Sequence, residues 1–102
     1  MPTVDEARRR FAEALRQARK DGASAIILIH GYGSSGVGGK IRTGIQSSLR
    51  MRQKEGLIRA FVTGENWRYG DPTTEWILNE CPALDDDPDL DAGNKGMSVV
   101  LI

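Results

Sequence analysis

Val4, Ala7, Phe11, Ala14, Leu15 and Ala18 recur at three- and four-residue spacing, which draws a single apolar stripe along a helix. Arg8, Arg9, Arg16, Arg19 and Lys20 lie mostly off that stripe. Thr3 is placed to cap the helix, with Glu6 completing a capping box and Asp5 favourable in the first turn. Gly22 ends it. The pattern then changes: Ser24 to Ile29 does not alternate, as expected of a strand buried on both faces. A second helical stripe, Ile41, Ile45 and Leu49, predicts a helix over about 40–53 whose polar face carries Arg42, Arg50 and Arg52. Gly56 closes it, and residues 57–62 read as a second strand.

Residues 63–96 show neither period and are too many for a plain loop in a compact domain. Within them, 72–79 (PTTEWILN) predicts a short helix, with Trp76 and Ile77 able to pack and Pro82 and the DDDPDLD run stopping it. Residues 97–102 form a closing strand. The order α-β-α-β-insert-β, without internal repeats, points to an α/β (α+β) domain of helices packed on a small mixed sheet. A length of 102 residues suits one domain spanning 1–102.

No apolar run approaches the ~20 residues of a membrane helix, and the N-terminus has no signal-peptide core. Cys81 is the only cysteine, which excludes an internal disulfide framework and a cysteine zinc cluster. Nothing beside it activates the thiol, and a reduced, cytoplasmic setting is expected. The net charge of zero hides a division. Residues 1–59 hold twelve Lys/Arg and five Asp/Glu, for +7; residues 60–102 hold two and nine, for −7. A basic half suits an anionic partner such as a nucleic-acid backbone. Two solvated faces that neutralise each other would give the same count.

The densest chemistry lies between the first strand and the second helix, in AIILIHGYGSSGVGGKIR. Five of the eleven residues from His30 to Lys40 are glycine, which lets backbone N–H groups approach a ligand closely. The following helix adds the positive end of its dipole. Gly31, Tyr32, Gly33, Ser34, Ser35, Gly36 and Gly39 are the candidate anion cradle, and Lys40 and Arg42 supply full charges. Arg50, Arg52 and Arg59 would extend the basic surface. Tyr32 could stack on a base; Trp67 and Tyr69 either stack or anchor the insert. His30, at the carboxyl end of a buried strand, is the candidate acid/base or phosphate contact. Its alternative role is to tie the loop down through backbone hydrogen bonds.

Four familiar uses of such a segment can be compared by spacing. Gly39-Lys40 resembles the end of a Walker loop, but Ser34 replaces the required glycine and Ile41 the magnesium-binding hydroxyl. Gly31, Gly33 and Gly36 spell a dinucleotide G-x-G-x-x-G, with Glu65 after the next strand, which makes a small nucleotide-binding module the best alternative by spacing alone. The helix, however, is expected only after Val37, Gly38 and Gly39, and the chain cannot supply a full doubly wound sheet. A hydrolase oxyanion segment lacks its G-x-S-x-G elbow here. Asp87, Asp89 and Asp91 alternate like an EF-hand loop, but Ala92 and Ser98 stand at its glycine and glutamate positions.

Four segments in order resemble the Smr (small MutS-related) domain family. Thr3-Val4-Asp5-Glu6-Ala7 is similar to its T-x-E-E-A helix opening, and 25–33 to its I-I-H-G-x-G strand and turn. Gly39-Lys40-Ile41-Arg42 is similar to its G-x-L-R segment. Residues 96–102 resemble its closing G-x-T-x-V-x-L strand, with Ser98 in the Thr place. The resemblance implies a two-layer sandwich like the C-terminal domain of translation initiation factor three. It also implies binding of DNA or RNA, branched forms included, in repair, recombination or RNA processing, with DNA nicking or RNA cleavage in some members. A nuclease would use His30 as acid/base with a divalent metal ion assisting; a binding domain needs no cofactor. Members usually open with an L-D-L-H-G strand whose Asp and His are linked to cleavage, whereas only Met1 and Pro2 precede the helix cap here. The 63–96 insert replaces a short glycine-rich connection. No membrane partner is expected, and the chain would act as a monomer or as a dimer that completes the sheet.

Overall fold

The computed structural model describes residues 3–31 and 37–102. Helix α1 (Val4–Lys20) starts where the sequence places it, with Thr3 Oγ1 accepting the Glu6 N–H at 3.1 Å. Strand β1 (Ala25–Ile29) follows, then α2 (Val37–Lys54), β2 (Ala60–Thr63), α3 (Pro72–Glu80), a 3-10 turn (Pro82–Asp86) and β3 (Met97–Leu101). α2 begins at Val37, so Gly38 and Gly39 belong to the helix and not to the loop. β2 begins three residues later than its apolar run. Before it, the N–H groups of Leu57 and Ile58 return to the Arg52 carbonyl and close the end of α2.

β3 is the central strand, in the order β1-β3-β2, and both ladders are antiparallel. β1 and β2 therefore run in the same direction on either side of it. Every residue of β3 is buried, because both faces of the sheet are covered. On one face α1 and α2 press Phe11, Leu15, Ile41, Ile45 and Leu49 onto Val100, Ile26, Leu28 and Phe61. On the other, the insert packs Trp67 and Ile77 onto Ala60, Val62, Met97, Val99 and Leu101. The insert is thus an ordered layer of its own. Trp67 is its anchor, with no exposed surface, whereas Tyr69 and Trp76 stay half outside. Cys81 packs against the same cluster.

Among the described residues the outer edge of β1 has no strand neighbour. Its consequences reach α1: Ala14, a member of the apolar stripe, is exposed, and Ile29 is 72% exposed. An apolar groove of about 260 Å³ runs between them, walled by Phe11, Ile27, Leu28 and Ile45. No helix among the described residues is long and apolar enough to cross a membrane.

Candidate nucleic-acid interface

His30 directly follows β1, and the backbone there is fixed from both sides. The N–H groups of His30 and Gly31 both donate to the Gly96 carbonyl at 2.9 Å, beside the start of β3. Gly31 has φ +70, a left-handed conformation that glycine adopts without a side-chain clash. The imidazole is fixed as well. His30 Nδ1 lies 2.7 Å from the Gly31 carbonyl oxygen and Nε2 lies 3.1 Å from Ser98 Oγ. A carbonyl only accepts, so Nδ1 carries the proton, and in the neutral ring Nε2 accepts from the Ser98 hydroxyl. Ser98 is fully buried on β3, opposite Leu28. A serine donating to a histidine is a nucleophile–base geometry, but a hydroxyl with no exposed surface reaches no substrate. The pair holds the end of β1 to β3.

Sequence reasoning missed Ser98 as this partner, although the closing-strand pattern marked its position. The link spans 68 residues, and only the antiparallel β1–β3 register brings it together.

Tyr32, Gly33, Ser34, Ser35 and Gly36 of the candidate cradle lie outside the described residues. Beyond them, Gly39 and Lys40 are exposed in the first turn of α2. That turn contains no acidic side chain, so its dipole is not neutralised locally. The Thr43 hydroxyl donates to the Gly39 carbonyl at 2.9 Å. Arg42 is not a free cation: its Nη2 pairs with Glu65, just beyond β2. Its Nε is buried without a hydrogen-bond partner.

The other candidate cations divide in the same way. Arg52 lies over the Phe11 ring at 5.1 Å, and Arg59 lies over Trp76 at 5.7 Å while pairing with Glu80. Both therefore contribute to packing. Arg50 remains exposed on α2.

The dinucleotide spacing does not survive the topology. A helix does open right after Gly36, which removes the objection based on three further loop residues. Yet β1 is hydrogen-bonded to an antiparallel strand instead of the parallel neighbour that a dinucleotide fold needs. Glu65, which would bind the ribose, is held by Arg42. The acidic run also has structural work. Asp87 accepts the Trp67 indole N–H at 2.8 Å, Asp91 the Tyr69 backbone N–H at 2.9 Å, and Asp89 the Asn94 side chain at 3.2 Å.

The sequence matches the Smr domain family model over residues 1–74. The fold is similar to the crystal structure of the Smr domain of Thermus thermophilus MutS2. That match has a TM-score of 0.59 and 25% identity, and covers 97% of this chain and 85% of that one. No curated protein matches. The family match ends inside α3, while the structural match continues over nearly the whole chain. The insert face, read from the sequence as a departure from the family's short connection, is therefore compatible with the same fold, and the chain belongs to the Smr domain family.

Proposed function

We propose that this domain binds nucleic acid, holding backbone phosphates at the glycine-rich segment and the start of α2. The supporting observation is the first turn of α2: it emerges from the glycine segment, carries exposed Lys40, and contains no carboxylate. Exposed N–H groups at a helix start and a nearby ammonium suit a phosphate better than a carboxylate-rich or apolar ligand. The +7 charge of residues 1–59 adds longer-range attraction. DNA repair, recombination or RNA processing are the settings that such binding would serve.

The test is a fluorescence titration of the chain with branched, duplex and single-stranded DNA and with RNA. Binding should weaken steeply with salt, and Lys40→Ala should weaken it about 3- to 10-fold. Absence of binding to every nucleic acid at low salt would overturn the proposal.

Cleavage is the second reading, and it turns on His30. In the resting arrangement both ring nitrogens are engaged, so the imidazole must exchange Ser98 for substrate or water before it moves a proton. Nicking of supercoiled plasmid that is equal in wild type and His30→Ala would remove His30 from the chemistry.

A further inference from the structure

The junction of α1 and α2 holds a cation that the glycine segment does not account for. The two helices approach closely at Gly44. A β-carbon there would lie 2.8 Å from Val4 Cγ1 and 3.5 Å from Arg8 Nε, closer to Val4 than ordinary packing allows. With only hydrogen at that position, α1 settles against α2 and the Arg8 guanidinium lies across the α2 backbone. Val4 and Arg8 are four residues apart, so one face of α1 supplies both the packing contact and the charge.

The result is an open groove of about 560 Å³, with Arg8 on one wall and Lys40, Arg42 and Ser47 on the other. None of its lining residues is acidic. Lys40, Gly44 and Ser47 fall at four- and three-residue steps, so the α2 wall runs for about 10 Å along one helix face. Among the described residues neither Arg8 nor Lys40 is in an ion pair, in contrast to Arg16 on the same helix, which pairs with Glu13. Arg42 reaches the groove with its Nε buried and unpartnered.

We propose that this α1–α2 groove is a second phosphate site, with Arg8 as its principal cation. The nucleic-acid backbone then continues along α2 instead of ending at its first turn. The inference rests on the nucleic-acid reading above but does not follow from it, because that reading places its phosphate contacts at the glycine segment and the start of α2, and Arg8 enters it only through overall charge. Charge complementarity identifies the occupant. A groove with cations on both walls, a serine and no carboxylate fits a run of phosphates, whereas an acidic peptide would leave the helical α2 wall without an apolar anchor beyond Val4.

The test uses fluorescence anisotropy of the full chain with fluorescein-labelled duplex DNA and, separately, labelled single-stranded RNA. Arg8→Ala should weaken duplex binding several-fold and reduce the slope of log affinity against log salt by about 0.9, the loss of one phosphate contact. Arg8→Lys keeps the charge and should restore that slope. Arg16→Ala removes a charge from the same helix outside the groove and should leave the slope unchanged. Thermal melts of the variants should match wild type, since Arg8 is exposed.

If Arg8→Ala behaves like Arg16→Ala while Lys40→Ala still weakens binding, the groove is overturned and the reading of the turn stands. If wild type binds neither probe at low salt, the reading beneath it falls as well. Loss of binding in Arg8→Ala that Arg8→Lys does not restore would also overturn a charge-based site.

Discussion

The two faces of the sheet are covered by different means. On one, two long helices present regular apolar stripes, and Phe11, Leu15, Ile41, Ile45 and Leu49 do the packing. Their remaining surface stays basic and partly unengaged, as at Arg8, Lys40 and Arg50. On the other, a nine-residue helix, a 3-10 turn and irregular chain surround Trp67 and Ile77. The carboxylates there are largely internal fasteners: Asp71 caps α3 through the Thr74 N–H, Asp87 holds the Trp67 indole, and Asp85 holds the Tyr69 hydroxyl. The division of charge therefore has two meanings. Negative charge holds together a layer that lacks regular secondary structure, while positive charge lies on a layer already held by its stripes, where Arg8, Lys40 and Arg50 are in no ion pair among the described residues.

Trp67 gives the strongest way to break this comparison. It has no exposed surface and its indole N–H is bonded to Asp87, so Trp67→Ala should cost about 3–5 kcal/mol in urea unfolding. Arg50→Ala on the opposite layer should stay within about 0.5 kcal/mol. A Trp67→Ala cost near that of Arg50→Ala would mean that the insert is an ornament rather than a second core. Below its lowered melting temperature, Trp67→Ala should bind nucleic acid as wild type does, because the groove is built on the other face.

A smaller effect is expected where β1 is fastened to β3. Ser98→Ala leaves His30 Nε2 without its donor and should cost about 1 kcal/mol. Nitrogen-15 spectra of wild type near neutral pH should show the Nδ1-protonated tautomer, since the Gly31 carbonyl can only accept. An Nε2-protonated ring would reverse the roles of His30 and Ser98. The tautomer should persist in Ser98→Ala, because the bond to Gly31 is untouched. This separates a Ser98 that fastens two strands from one that sets the imidazole.

What the sequence disclosed follows the same line between regular and irregular structure. The α1 stripe, its Thr3 cap, the strand at 25–29 and the short helix opening at Pro72 were legible, because each depends on neighbours within a few residues; β1, however, is partly exposed instead of buried on both faces. Helix α2 was read as starting at Lys40, since Gly38 and Gly39 are poor helix formers at about 1 kcal/mol each relative to alanine. Packing of the stripe that follows carries the helix through them.

Pairings across the chain left no local trace. Arg42 with Glu65, His30 with Ser98, and Arg8 over Gly44 are each set by register or by a helix crossing. Even the exposure of Ala14 was hidden, because it reflects an open edge of β1 and not the stripe itself. The candidate site was thus legible as a segment, but its division into free and engaged cations was not.

The Arg59–Glu80 contact should have the smallest effect, and it shows how the acidic layer responds to pH. Arg59 donates to Glu80 at 2.6 Å on the surface, and that hydrogen bond, with the attraction of the guanidinium, holds the Glu80 carboxyl below its ordinary value. A lowered folded-state value means that the contribution is complete above the ordinary carboxylate range and is lost as pH falls through the lowered value. Tyr69 acts in the opposite direction. Donation to Asp85 pushes its phenol up to about 12, so that contact persists from neutral pH into the alkaline range and is lost as pH rises through that value. Unfolding of wild type and Glu80→Gln should therefore differ slightly at neutral pH, and the difference should shrink as the solution is acidified. High salt should shrink it as well, because both partners are solvent-exposed. The Arg59→Ala background should abolish the difference at every pH. A gap that stays constant through acid pH would show that Glu80 acts through packing beside Trp76, and that fastening by charge on this layer stops at the buried edge of the insert.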